Sequence, residues 1–141
     1  MRPTRDQYFM ALAELASTRA TCLKRAVGCA LVDKRGHILA IGYNGVAAGM
    51  PHCNEGSPCR DWDLPTGLDQ CEAVHAETNA LLQCRDPWSI ETAYVTLSPC
   101  KPCIKLLMNT SCRKIVVKVE HSDLWAKEQW LKQGRLWEVL I

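Results

Sequence analysis

The apolar positions of this chain fall into short periodic runs, interrupted by one long stretch that has no period. Tyr8, Phe9, Leu12, Leu15 and Ala16 recur at helical spacing, so residues 5–20 are expected as a helix with one buried stripe. Residues 26–33, Ala-Val-Gly-Cys-Ala-Leu-Val-Asp, read as a buried strand, and residues 37–43 as a second. Arg35-Gly36 between them is a turn, and so short a connection makes the pair an antiparallel hairpin. Helical spacing returns over residues 75–85, with Ala76, Ala80 and Leu81 on one side. Residues 92–97 are a strand. Pro99 opens a helix that runs to about Asn109, because proline suits a first helical turn. Residues 114–119, Lys-Ile-Val-Val-Lys-Val, are a strand. Residues 123–133 are helical with Asp123 or Ser122 as N-cap, Gly134 ends that helix, and residues 136–141 form a last strand. A helix separates the final two strands, so they should run parallel. The sum is a single α/β domain over residues 1–141: a small mixed sheet with helices on both faces. Its strand ends are where open sheets of this kind bind ligands.

Residues 44–74 stand apart. They are rich in glycine and carry three prolines and three cysteines without any sustained period. So long a loop in a compact domain is usually functional, and cysteine ligands could hold it together where a hydrophobic core cannot. Composition agrees with one folded unit: 48% of the 141 residues are hydrophobic and 23% charged. A net charge of +2 argues against an extended nucleic-acid-binding face, yet leaves room for a local basic pocket. No apolar run reaches the roughly 18 residues that span a bilayer. The start, Met-Arg-Pro-Thr-Arg-Asp, leads into no apolar segment with a cleavage site, so the expected location is the cytoplasm.

Nine cysteines change the picture: Cys22, Cys29, Cys53, Cys59, Cys71, Cys84, Cys100, Cys103 and Cys112. The number is odd and a reducing compartment disfavours disulfides, so a clustered subset points to metal. Cys29, Cys84 and Cys112 lie in or beside the periodic segments and are expected as small buried apolar residues.

Two short motifs carry the chemistry. His75-Ala76-Glu77 and Ser98-Pro99-Cys100-Lys101-Pro102-Cys103 each sit at a predicted helix start. Cys100 and Cys103, three apart, can share one helical face, where the partial positive charge of a helix N-terminus favours thiolates. His75 would be a third ligand, and three protein ligands with one open position is the arrangement of catalytic zinc. Glu77 is placed as a proton carrier beside zinc-activated water, whose pKa such a metal brings to about 7. Alone, Pro-Cys-x-x-Cys also fits a redox pair or half of a structural zinc site, and His-x-Glu is usually plain surface. The two in this order form the signature of zinc base deaminases.

On these residues the chain resembles the cytidine deaminase superfamily, and within it the deoxycytidylate (dCMP) deaminases. The likeness runs from about Tyr8 to Leu140. It includes His75-Ala76-Glu77-Thr78-Asn79-Ala80, the Pro-Cys-x-x-Cys segment, Gly42-Tyr43-Asn44-Gly45 and His52-Cys53. The last two segments favour the dCMP branch over free-cytidine and tRNA adenosine deaminases. The resemblance implies a three-layer α/β/α fold with a mixed five-stranded sheet. It implies hydrolysis of dCMP to dUMP and ammonia, supplying thymidylate synthesis. Asn44 would then hydrogen-bond the deoxyribose, with Asn79 and Ser98 as further substrate contacts. Many such enzymes are hexamers, activated by dCTP and inhibited by dTTP.

Two further sites follow as expectations. Cys22, Cys53, Cys59 and Cys71 could form a tetrahedral second, structural zinc site tying the first helix, the long loop and the catalytic helix together, with His52 able to replace one of them. The resemblance to regulated dCMP deaminases also implies a deoxynucleoside triphosphate effector with Mg²⁺, expected at Lys24, Arg25 and Gly42-Tyr43-Asn44-Gly45, where glycines allow close approach and the cations could meet phosphates. For the 5′-phosphate of the substrate, Lys24, Arg25, Arg60, Lys101 and Arg113 are all available, and spacing does not choose among them. A deaminase of tRNA adenosine or of single-stranded DNA cytosine is the first alternative. It needs an electropositive face that the near-neutral charge does not favour. A non-catalytic zinc module is the second, and it has no use for Glu77. Neither a nucleic-acid nor a membrane partner is expected.

Overall fold

Alternation along the apolar strands decides which helix lies on which side of the sheet. The computed structural model describes residues 1–22, 25–50 and 73–141. Among these residues, five strands form one sheet: β1 (Gly28–Val32), β2 (Ile38–Tyr43), β5 (Thr92–Leu97), β6 (Lys114–Val119) and β7 (Leu136–Val139), in the order β2-β1-β5-β6-β7. β1 runs antiparallel to β2 and β5, whereas β5, β6 and β7 are mutually parallel, as their intervening helices require. Ala30, Tyr94 and Val116 point to one face and meet Phe9, Met10 and Ala13 of α1 (Arg5–Ser17). Cys29, Leu31, Val95, Ile115 and Val117 point to the other. There they meet α2 (Ala76–Gln83), α3 (Lys101–Met108) and α4 (Trp125–Lys132) through Ala76, Ala80, Ile104, Leu107 and Trp130. The layering is α/β/α, as expected, and Cys29, Cys84 and Cys112 are buried in the second core.

Two strand glycines set the helix spacing. A Cβ at Gly28 would collide with the Ala13 carbonyl of α1, and one at Gly42 with the backbone of Ala76 and Ala80 in α2. This close approach corrects the expected stripe of α1. Small Ala13 faces the sheet beside Phe9 and Met10, while Tyr8 and Leu15, assigned to the buried side, are exposed. The helix also ends at Ser17 rather than residue 20. Its last turn tightens into three-residue bonds, Thr18 N–H to Leu15 O and Arg19 N–H to Ala16 O.

Other boundaries move for local reasons. Pro102, not Pro99, is the first-turn proline of α3, and Cys100 is its N-cap with extended backbone. The N-cap of α4 is Leu124, not Asp123 or Ser122. Asp123 sits one residue further out, its N–H held by His121 Nδ1 and its carboxylate accepting from Trp125 N–H. Gly134, at φ +75°, terminates α4 as expected. Both described ends of the irregular stretch pair with each other: β3 (Gly45–Val46) is antiparallel to β4 (Ala73–Val74), which delivers the chain to α2.

Candidate active site

The N-termini of α2 and α3 meet at the carboxyl end of β5. Neither N-cap residue, His75 or Cys100, closes its helix with a side-chain hydrogen bond. Both side chains turn to each other instead. His75 Nδ1 lies 3.2 Å from Cys100 Sγ and 3.3 Å from Cys103 Sγ. The three ligand atoms all fall within 4.8 Å of one another. Tetrahedral zinc, with bonds of about 2.0–2.1 Å to nitrogen and about 2.3 Å to sulfur, places such atoms about 3.5 Å apart. One imidazole and two thiols at these separations fit zinc, and no shift of the backbone is needed to bring them together.

The two thiols divide one proton unequally. The hydrogen bond from Cys103 brings Cys100 down to about 4, against the opposing effect of burial and with help from His75. Cys103, the donor in that bond and buried as well, is pushed up. Zinc ligation demands both as thiolates and displaces that proton. Glu77 is 4% exposed, and burial raises its carboxyl to about 7. Cys100 adds to the rise, while the Glu77 N–H, His75 and Cys103 oppose it. A second side chain of α2 also reaches the ligands: Thr78 Oγ1 is 3.8 Å from Cys103 Sγ. The sequence reading did not single Thr78 out. Its signal was the three-residue step from His75, which puts both on one helical face.

The remaining expected site residues divide. Asn79 is held against the site's floor, its Nδ2 donating to Tyr43 O at 2.8 Å and Val74 O at 3.3 Å. Asn44 is buried, with Oδ1 accepting from Val27 N–H at 2.8 Å and Nδ2 donating to Arg25 O at 2.9 Å. Ser98 Oγ accepts from His121 N–H at 2.9 Å and faces Val119 O at 3.5 Å, which clips the cysteine loop to the end of β6. Of the basic candidates, Arg113 immediately precedes β6 at the opposite end of the sheet, about 20 Å away by strand length. Lys101 lays its ammonium 5.3 Å above the Trp125 ring. Arg25 is exposed at the sheet end that carries the site. Lys24, His52, Cys53, Cys59, Arg60 and Cys71 lie outside the described residues. Cys22 is described and is anchored beside β3, since Thr21 N–H donates to Asn44 O and Thr21 Oγ1 accepts from Val46 N–H. Gly42 and Gly45, assigned to the effector, border α2 and Thr21 respectively, and Tyr43 ends β2. A separate groove of about 950 Å³ lies on the α1 side of the sheet, lined by Glu14, Arg25, Thr96, Lys118 and His121 among others. It does not include His75, Cys100 or Cys103. Among the described residues, no helix is long and apolar enough to cross a membrane.

Residues 3–119 match the family model of the cytidine and deoxycytidylate deaminase zinc-binding region. The chain is 41% identical over 120 residues to deoxycytidylate deaminase of Saccharomyces cerevisiae, which covers 82% of this chain and 38% of that protein. It is 36% identical over 126 residues to deoxycytidylate deaminase of Mycobacterium phage D29, covering 84% of this chain and 98% of that one. The chain thus spans about two fifths of the length of the Saccharomyces cerevisiae relative and nearly all of the phage protein's. In three dimensions it is similar to the dCMP deaminase of cyanophage S-TIM5 solved with dCMP and dUMP. The TM-score is 0.78 at 26% identity, with 99% of each chain covered.

Proposed function

The chain belongs to the cytidine and deoxycytidylate deaminase zinc-binding family, and from that premise we propose that it hydrolyses dCMP to dUMP and ammonia. The observation that carries the reading is the convergence of His75, Cys100 and Cys103 with the buried carboxyl of Glu77 beside them. Relatives named as deoxycytidylate deaminases, and the cyanophage enzyme bound to dCMP and dUMP, support a cytosine nucleotide as substrate.

His75 Nδ1 and the two thiolates would hold zinc, which when bound supplies Lewis-acid activation of water. Glu77 does the proton work. Its burial keeps the carboxyl able to take up a proton near neutral pH, so it can accept one from the attacking water. It passes this proton to N3 of the cytosine ring as the oxygen adds to C4, then takes the second proton from that oxygen and gives it to the amine, so that the C4–N bond breaks, ammonia leaves and the C4 carbonyl forms. The fixed orientation comes from α2, whose first turn carries both His75 and Glu77. Asn44 has one Oδ1 lone pair and one Nδ2 hydrogen left after its backbone bonds, enough to hold a deoxyribose hydroxyl. Asn79 and Ser98 would contact substrate only through their remaining acceptor capacity. The test is dCMP loss followed spectrophotometrically on protein of measured zinc content, with a tRNA anticodon stem as competitor substrate. Zinc-loaded protein that leaves dCMP intact overturns the reading.

Three finer readings belong to the same proposal. A second zinc is held by Cys22, Cys53, Cys59 and Cys71, with His52 as a possible substitute. The anchoring of Cys22 beside β3, and the position of Cys71 two residues before β4, support it. Two zinc ions per chain in fresh reduced protein is the expected count, and one overturns it. Regulation by dCTP and dTTP with Mg²⁺ would act at Lys24, Arg25 and residues 42–45 in a hexamer, the product feeding thymidylate synthesis. Superimposable dCMP titrations with dCTP, with dTTP and with neither would end the regulatory claim.

A further inference from the structure

We propose that Thr78 is a positioning residue of the metal centre: its hydroxyl donates to the sulfur of Cys103 and thereby strengthens zinc binding. The inference rests on the zinc reading above and adds a residue to it.

A threonine inside a helix ordinarily returns its hydroxyl to a carbonyl three or four residues back. Thr18 and Thr110, just past the ends of α1 and α3, show the same habit, donating to Leu15 O at 2.6 Å and Leu107 O at 2.7 Å. The local acceptors within reach of Thr78 are His75 O and Val74 O, and its hydroxyl bonds to neither. His75 O receives the Asn79 N–H at 2.9 Å, and Val74 O receives Asn79 Nδ2 at 3.3 Å. The Thr78 hydroxyl turns across the gap between α2 and α3 to Cys103 Sγ.

That sulfur has reason to need it. Cys103 is 1% exposed, so water cannot solvate a thiolate there. Glu77, 4% exposed, adds further negative charge beside it. A buried charged acceptor left without a donor is costly, and a hydroxyl aimed at it recovers part of that cost. Cys100 differs, being half-buried and open to other partners. The contact has a second consequence. Thr78 follows Glu77 directly, so the same bond fixes the first turn of α2 against the ligand helix. Outer-shell partners of this kind are typically worth about 10–100-fold in metal affinity.

The experiment compares the full chain with Thr78→Val and Thr78→Ser. Valine keeps the shape and β-branching and removes the donor; serine restores it. Zinc affinity is measured by competition with a chromophoric chelator, with Cys100→Ala defining zinc held elsewhere, and circular dichroism confirms that each variant is folded. The cobalt-substituted proteins are compared by their thiolate-to-cobalt absorption. Thr78→Val should bind zinc about 10–100-fold more weakly and shift that band, and Thr78→Ser should return affinity to within about threefold of wild type. Wild-type affinity in Thr78→Val, or a serine variant as weak as valine, overturns the role of the hydroxyl. If Cys100→Ala holds as much zinc as wild type, the zinc reading itself fails, a result separate from either of these.

Discussion

Helices α1 and α2 lie on opposite faces of one sheet, each so close to a strand that only glycine fits beneath it, at Gly28 and Gly42 respectively. Their N-termini are built in opposite ways. α1 begins with a closed capping box: Thr4 accepts from Gln7 N–H, and Gln7 accepts from Thr4 N–H. α2 begins at His75 with no side-chain cap, and α3 repeats the pattern at Cys100. A cap is ordinarily worth about 1 kcal/mol. Where it is present, a helix end serves stability alone. At α2 and α3 the cap position instead holds a side chain of the candidate metal site. Leu124 leaves α4 without a side-chain cap as well, so the missing cap points to the site only where the residue in that position is His or Cys.

The largest expected effect tests the uncapped side. Glu77→Gln keeps the size of the side chain and the helix but cannot accept and relay a proton. Turnover should fall by about 10²–10⁴-fold with zinc occupancy unchanged. Activity within about threefold of wild type at full zinc would leave α2 with no more chemistry than α1.

Next come the two glycines. Gly28→Ala and Gly42→Ala each force a methyl against helix backbone, and overpacking of that kind costs about 1–3 kcal/mol. Both should lower the melting temperature. Only Gly42→Ala should also weaken zinc binding in the folded protein, because the helix it displaces carries His75 and Glu77. Equal losses of zinc affinity in both would show that the two faces are not independent.

Much of the site was legible in the sequence because its information is local. His-x-Glu and Pro-Cys-x-x-Cys fix their own geometry within a single helical turn, whatever the rest of the chain does. The strands were legible too, since Ile115, Val116 and Val117 are apolar on both faces of a covered sheet. What escaped depends on distance between elements. The buried side of α1 was misassigned because Tyr8 and Leu15 look more hydrophobic than Ala13, and only the closeness of β1 favours the alanine. Gly42 lies in the predicted second strand, yet its close contact with α2 is announced by no local pattern. The main-chain partners of Asn44 and Ser98, expected as substrate contacts, come from segments far away in sequence and are announced by no motif.

Thr4→Ala gives a smaller effect and sharpens the same contrast. It removes the cap of α1 and should cost about 1 kcal/mol, read as a lower melting temperature. Zinc affinity and turnover should stay at wild-type values. A change in either would mean that the α1 face communicates with the metal centre.

The smallest effect is expected at the turn joining the two glycine-bearing strands, at the end of the sheet away from the site. Asp33 Oδ1 accepts the N–H groups of Arg35 and His37, each at 2.9 Å. The bond from His37 is the main reason its carboxyl lies below the usual range, aided by the Arg35 N–H and opposed by slight burial. The direction fixes the sign. The unfolded chain binds this proton more tightly than the folded one, so the ionised carboxylate adds stability above an ordinary aspartate pKa of about 3.9. That contribution is lost as pH falls through the lowered folded value. Asp33→Asn keeps an oxygen acceptor for the turn but has no charge to lose. Its melting temperature should therefore lie slightly below wild type near pH 7, and the gap should close in acid. Parallel thermal melts in matched buffers from about pH 7 to about pH 2.5 check this, with zinc affinity at neutral pH as the control. A gap that stays constant across the range removes the carboxylate's charge from the account of the turn. A gap that closes while zinc affinity is untouched places this end of the sheet with α1, on the side of the molecule that serves stability alone.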